Sequence, residues 1–253
     1  MTGTHRRTTF LGVPLDPISM RETLEVIGDA VAADRPMTHL GVNAANLVLA
    51  RDNPDYLADL AAADLVTADG QSVVWGARLY GIGVPERVTG IDLMEALLAE
   101  ATMRGWSVYL LGAREEVVTA LATRLSARGV NVAGCHHGYF AEERAAGMAA
   151  RIRASGATIL FVGMPTPRKE QFIIHEAVTA GVPFSMGVGG SFDVLAGLLS
   201  RAPRIVQRLG LEWLYRLAQE PRRLLRRYVV TNTRFLLLLV ADAGGRRLRR
   251  GRH

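Results

Sequence analysis

Residues Asp64–Tyr80 read DLVTADGQSVVWGARLY and change period part-way along. Leu65–Val66, feeding Thr67-Ala68-Asp69, is the short apolar run of a buried strand, whereas Gln71–Tyr80 carries apolar residues on one helical face. Asp69 therefore stands where a strand stops and a helix begins. In an open α/β sheet that junction is the rim of the ligand crevice, and a carboxylate there can take a proton from a bound hydroxyl. It is equally a place where Asp accepts backbone N–H bonds as a helix cap while Gly70 eases the turn. The residues alone leave both readings open.

Working outward, the same alternation recurs. Thr8–Val13 reads as a strand, and Ser19 with Glu22 has the spacing of a capping box opening a helix to about Ala33. His39–Val42 is the next strand and Asn43-Ala44-Ala45-Asn46 enters a helix, with Asn53-Pro54 starting another. Beyond Asp69 and its helix, Leu93–Met103 is helical. Strands are predicted at Ser107–Leu111, Val130–Cys135, Thr158–Val162 and Phe184–Val188, and helices at Glu115–Arg128, Glu142–Ser155 and Lys169–Ala180. Strands alternating with helices predict an α/β fold, a Rossmann-like and mainly parallel sheet with helices on both faces. Ile159-Leu160-Phe161-Val162, apolar throughout, fits a strand covered on both sides. After Ser200 the chain becomes arginine-laced, with helices expected at Ile205–Gln219 and Arg222–Val240. The expected organisation is a catalytic α/β domain over 8–200, a helical arginine-rich appendage over 201–243 and a disordered basic tail over 244–253.

A length of 253 residues, 49% hydrophobic, is enough for a sizeable core. The single cysteine, Cys135, excludes an internal disulfide and suits a reducing compartment. No apolar run approaches the roughly 20 residues of a spanning helix, and the N-terminus lacks a signal-peptide apolar region. The expected location is cytoplasmic. The net charge of +6 conceals an asymmetry: residues 201–253 hold fourteen Arg against Glu212, Glu220 and Asp242, while the first 200 hold sixteen basic against twenty-one acidic residues. The tail thus carries +11 and the body −5. Such a tail suits phosphate-rich partners: an anionic membrane, a pyrophosphate or nucleic acid. The acidic body has no zinc-finger spacing and no aromatic RNP-like strand, so nucleic acid is not the expected partner.

Five loops fall at strand ends: Gly41-Val42-Asn43, Asp69-Gly70-Gln71, Gly112-Ala113-Arg114, Gly163–Glu170 and Gly187–Ser191. The last is the most phosphate-like, since Gly187, Gly189 and Gly190 let backbone N–H groups approach an anion. None matches GxGxxG or the P-loop pattern, and several glycine-lined strand ends on one rim favour a nucleotide-sized ligand. Cys135-His136-His137 is expected to alternate across a strand and so not to chelate. There is no Asp-x-Asp, and no metal or other cofactor is expected. His39 and His175 have no identifiable acid partner, and His175 reads as a packed core residue. In the tail, Arg216, Arg223 and Arg226 stand at helical spacings of seven and three, on one face if the helix is continuous, although Pro221 is expected to break it. Guanidiniums fork onto phosphate oxygens with two bonds, which a diphosphate would exploit.

The order of motifs resembles the WecG/TagA/CpsF glycosyltransferases. The resemblance rests on GVNAANLVLA around Asn43, TADGQSVVW around Asp69, RVTGIDL at 87–93, YLLGA at 109–113, GYF at 138–140, FVGMPTPRKEQF at 161–172, GVGGSFDVLAG at 187–197 with RAP after it, and EWLYRL, PRR and RRY in the tail. It implies the GT-E type of α/β domain with a mobile C-terminal appendage. The implied activity is inverting, metal-independent transfer of an N-acetylmannosamine-type sugar from a UDP donor to an undecaprenyl-diphosphate-linked sugar, in cell-surface polysaccharide synthesis. The UDP-sugar is a substrate, and no cofactor is implied.

The resemblance makes Asp69 the general base. It places Asn43, Gly70, Gln71, Lys169, Glu170, Gly187 and Gly189 at the substrates, and Arg216, Arg223 and Arg226 on the diphosphate. It also implies docking of the appendage on the anionic inner face of the plasma membrane, and a homo-oligomer. Two departures bear on the donor: Gly41 stands where the family often has Thr, and Lys169 where it has an active-site Gln. A different UDP-hexose or a uronic acid donor, and a non-catalytic nucleotide-sugar or phospholipid-binding protein, are the alternatives.

Overall fold

The computed structural model describes residues 7–250 apart from residue 220; the side chains at 208, 223, 224, 227 and 244–250 also fall outside the description. Six parallel strands form the main sheet: β3 (Met37–Val42), β4 (Leu65–Ala68), β5 (Ser107–Gly112), β6 (Asn131–His136), β7 (Ile159–Gly163) and β8 (Phe184–Gly187). Their spatial order is β4-β3-β8-β7-β5-β6. Before them, β1 (Thr8–Phe10) and β2 (Val13–Leu15) make an antiparallel hairpin. The single strand expected over Thr8–Val13 is thus divided, because Leu11 (φ 51°) and Gly12 (φ 86°) both take the left-handed conformation that a tight hairpin turn requires.

Alternation along the strands sends two sets of side chains into two cores. Leu40, Val42, Val66, Tyr109, Leu111, Leu160 and Val162 meet the hairpin, α2 (Ala44–Asp52), α3 (Pro54–Ala62), α4 (Gln71–Leu79) and α7 (Ala145–Ser155). Met37, Leu65, Val108, Leu110, Ile159, Phe161, Phe184 and Met186 meet α1 (Met20–Ala32), α5 (Gly90–Arg104), α6 (Glu115–Ala127) and α9 (Ser191–Leu195). Both faces are covered, which is why β7 is buried at every position.

Local signals set several boundaries. Ser19 and Glu22 form the reciprocal capping box of α1, and Asn53 caps α3 with Pro54 in its first turn. The helix expected over Lys169–Ala180 is instead α8 (Arg168–Gln171) running into a π-helical turn, Phe172–Ala177. The expected helix Ile205–Gln219 is also two, α10 (Arg204–Arg208) and α11 (Glu212–Gln219), because Gly210 turns left-handed at φ 72° between them. The last helix, α12 (Pro221–Arg250), begins at the expected break and runs past Val240. The side chains of 244–250 and all of 251–253, which make up the tail expected to be disordered, lie outside the described residues.

Two facts position the site. β3 leads by way of α2 and α3 to the edge strand β4, whereas β8 leads to α9, which packs on α6 under the far half of the sheet. The loops after these neighbouring strands diverge and leave a crevice at their C-terminal ends. The appendage then returns to this body. Phe235 of α12 is buried (4% exposed) among the hairpin, α2 and α4, and a Cβ on Gly76 would meet Phe10, Leu239 and Phe235, so only glycine admits this approach.

Candidate active site

Asp69 follows β4 directly, and its amide donates to the carbonyl of Val42 on β3 (2.9 Å). Gly70, not Asp69, is the N-cap residue of α4, and no side chain caps that helix. The carboxylate instead crosses to α5, where Oδ1 accepts the amide of Gly90 at 2.8 Å. Its other oxygen makes no hydrogen bond among the described residues. The side chain is half-buried, so one oxygen is fixed and the other is available to a ligand.

Around this carboxylate the rim is closely packed. A Cβ on Gly70 would lie 2.9 Å from Cβ of Asn43, and one on Gly41 would lie 3.1 Å from Cβ of Asp69, so both glycines are spacers that let the ends of β3 and β4 meet. Asn43 caps α2: its Oδ1 accepts the amides of Ala45 (2.9 Å) and Asn46 (3.4 Å), and its side-chain NH2 donates no hydrogen bond among the described residues. The first turn of α5 reaches the end of β8, where a Cβ on Gly90 would sit 3.7 Å from the carbonyl of Gly187.

On the other side of the crevice, Gly187 makes room for Lys169, whose Cδ and Cε would lie 2.7 Å from an added Cβ. The Lys169 ammonium donates to Glu170 Oε1 (3.0 Å) and to Thr166 Oγ1 (3.4 Å). Glu170 is buried (1% exposed) beneath the rim. Its Oε1 also accepts the hydroxyls of Thr166 (3.0 Å) and Tyr56 (3.4 Å), while Oε2 is buried with no partner. Burial, reinforced by Glu170, raises the Tyr56 phenol above its ordinary pKa, so Tyr56 stays a donor. Lys169 thus reaches the crevice from a network of α3 and α8 groups, its charge offset by a buried carboxylate.

The Gly187–Ser191 loop bends back on itself through bonds from the Ser191 amide and hydroxyl to the Val188 carbonyl. The amides of Gly189 (φ 49°) and Gly190 donate no hydrogen bond among the described residues. Arg216 of α11 lies over them, its Nη1 3.6 Å from where a Cβ on Gly190 would be. Two such amides under a guanidinium are an arrangement that can receive an anion. Gln71 is drawn to the appendage too: its Cγ would lie 2.5 Å from a Cβ on Gly210. Asp69, Asn43, Gly70, Gln71, Lys169, Gly187, Gly189 and Arg216 therefore share one rim. Arg226 is exposed on α12, and the side chain of Arg223 lies outside the described residues. α11 and α12 are separate helices, packed through Trp213 and Tyr228, so the helix breaks before Pro221 as expected and one continuous helix does not set a common face.

A family model, that of the Glycosyl transferase WecG/TagA/CpsF family, matches residues 8–249. The chain belongs to that family. It is a glycosyltransferase, acting on a sugar donor and an acceptor.

Within this WecG/TagA/CpsF protein, the structure adds site residues that the sequence reading did not single out. Arg87, Thr89, Gly90 and Asp92, all in RVTGIDL, surround the Asp69 contact, and Arg201 and Glu212 meet them from the appendage. Their motifs were visible, but pairings across more than a hundred residues leave no local trace. Two histidine readings change, and that of His39 as having no acid partner stands. His175 is not a core residue: its side chain is 63% exposed and its Nε2 pairs with the buried Asp59 at 2.9 Å. His136 ends β6, so His137 is free to stack beside it, ring centroids 4.3 Å apart, instead of pointing to the opposite face. His39 of β3 lies fully buried, bonded through Nε2 to Thr67 of β4 (2.9 Å) with Nδ1 unpartnered. Burial holds it neutral, its pKa lowered to about 4 against the raising influence of Asp16, with Lys169 lowering it further. No group of three His, Cys, Asp or Glu side chains among the described residues is arranged to hold a metal.

Proposed function

We propose that this glycosyltransferase moves an N-acetylmannosamine-type sugar from UDP to a sugar on undecaprenyl diphosphate, with inversion and without a metal, at the inner face of the plasma membrane. The observation that carries the reading is Asp69, one oxygen fixed by Gly90 and the other unengaged on the crevice rim. The free oxygen takes the proton of the acceptor hydroxyl as that oxygen attacks the anomeric carbon. The bond from that carbon to UDP breaks on the opposite face, and the electron pair leaves on the diphosphate. Arg216 and the amides of Gly189 and Gly190 supply the positive field for that departing charge.

A lipid-linked acceptor is supported by the appendage. Val229, Leu236, Leu237 and Val240 of α12 are exposed, along with Arg222 and Arg226, a combination that suits acyl chains and lipid phosphates together. No helix among the described residues is long and apolar enough to cross a membrane, so the contact proposed is peripheral.

The test is a screen of UDP-sugars against a short-chain polyprenyl-diphosphate-linked N-acetylglucosamine, with the product anomer read by NMR. One donor is expected to give a lipid-linked disaccharide of inverted configuration. UDP binding with no transfer from any donor would favour a non-catalytic nucleotide-sugar binder. Lys169, an ammonium where the family has an amide, favours including uronic acid donors in the screen.

A further inference from the structure

The first turn of α5 has three attachments at once. Among the described residues the Gly90 amide is the one hydrogen bond to the Asp69 side chain. Thr89 caps the helix by accepting the amide of Asp92, and its hydroxyl bonds back to the Asp92 carboxylate. The other oxygen of Asp92 receives Arg201 Nη1 at 2.7 Å. Arg201 Nε and Arg87 Nη2 then converge on Glu212, each at 3.4 Å. Arg87, Arg201 and Glu212 are 16%, 19% and 13% exposed, and Arg201 Nη2 is buried without a partner. Arg201 and Glu212 open the appendage, while Arg87, Thr89, Gly90 and Asp92 belong to the body.

We infer that Arg201 and Glu212 are positioning residues through which seating of the appendage fixes the carboxylate of Asp69. The inference rests on the reading of Asp69 as the base. A carboxylate tied through one oxygen is only as well placed as the amide that ties it. That amide is placed by a helical turn whose side chains are held from outside by the appendage. Two guanidiniums share one carboxylate at Glu212, so neutralising Glu212 takes the counter-charge from between Arg87 and Arg201 in a poorly solvated cluster and leaves Arg201 held by Asp92 and Glu95 alone. The turn and the appendage then separate, and the Gly90 bond loosens with them. The base is thereby complete only when the arginine-bearing helices are in place, which couples proton removal to the presence of the cations that receive the departing diphosphate. The other anchor of the appendage, Arg234 of α12 on Asp52 of α2 (2.7 Å), has no such connection to Asp69.

The test is amide hydrogen exchange on the full-length wild type and the Glu212→Gln, Arg201→Ala and Arg234→Ala variants, with UDP affinity read in parallel. Exchange across 87–94 is expected to rise about tenfold in the first two variants, the scale of one lost charge-assisted bond, and to stay at the wild-type rate in Arg234→Ala and in β7 of all variants. In turnover, kcat falls with the donor KM nearly unchanged, because orientation and not binding is lost. Asp92→Asn, which leaves Glu212 and both arginines in place, gives the same signature if the first two variants fail to fold. Loosening confined to 201–219, with 87–94 as protected as in the wild type, would overturn the inference. Raised exchange at 87–94 together with a fully active Asp69→Asn enzyme would uphold the coupling and remove Asp69 as the base.

Discussion

The appendage is held near the crevice mainly by ion pairs and along α12 mainly by apolar burial, with the Arg234–Asp52 pair beside it. Near the crevice, Glu212 and Arg201 of the α10–α11 region meet Arg87 and Asp92 through ion pairs. Along α12, Phe235 and Leu239 lie on Phe10, Gly76 and Tyr80, with the Tyr80 hydroxyl donating to the Leu239 carbonyl at 2.6 Å. Apolar burial is non-directional and holds a helix against the body wherever contact is made. Charged hydrogen bonds demand a geometry and respond to pH and salt. The α12 end therefore supplies adhesion and the α11 end supplies alignment, which is what a roof carrying Arg216 over Gly190 requires.

The largest effect separating the two anchors is expected from Phe235→Ala. Removing a buried ring that contacts the core should cost about 3–5 kcal/mol, measured as a fall in urea-unfolding stability. A cost below about 1 kcal/mol would show that α12 is not an apolar anchor. Acid sharpens the contrast next. His39 has a folded pKa of about 4 against 6.5 unfolded, so between those values the unfolded chain binds the extra proton. Stability is fully present above about pH 6.5 and falls as pH drops towards 4, by about 3 kcal/mol. A His39→Gln variant, in which nothing titrates at this place, should lack that slope. Asp92 shifts in the same direction for a different cause: burial alone would raise its pKa, but the bonds from Arg201 and Thr89 outweigh it and hold it below the ordinary carboxylate value. The Asp92–Arg201 pair is thus present at neutral pH and is lost only as pH falls through that lowered value, below the range in which His39 weakens the body.

Arg216→Ala should lower kcat about 100-fold by removing a cation over the leaving-group site, with the fold unchanged by circular dichroism. A kcat equal to wild type would leave the α11 end with alignment alone. The smallest effect is that of salt. Moving from 0.05 to about 0.5 M should loosen the α10–α11 anchor by under about 1 kcal/mol, seen as faster exchange across 201–219, and leave the Phe235 contact untouched.

What could be read in the sequence follows from the range of the interaction. The capping box of Ser19 and Glu22, the Asn53-Pro54 start and the strand-to-helix junction at Asp69 are settled within a few residues, and the structure has them where the sequence placed them. The all-parallel sheet followed from repeated alternation. The break at Gly210 was not legible, because a glycine within an apolar periodicity is tolerated in a helix and only its positive φ reveals the turn. The partner of His175 was missed for a different reason: Asp59 stands 116 residues away, and nothing local marks the pair. The site divides in the same way. Asp69 and the Gly187–Ser191 loop announced themselves by position, whereas the Asp92–Arg201–Glu212–Arg87 cluster exists only once the ends of the chain are brought together.

The most direct measurement is the steady-state turnover of Asp69→Asn with the best UDP-sugar and a lipid-linked acceptor, together with its affinity for UDP. The amide keeps the size of the side chain and an oxygen for Gly90 but cannot take a proton. A fall in kcat of about 10²–10⁴-fold with UDP affinity retained is the expected result. Turnover at the wild-type rate would contradict the account.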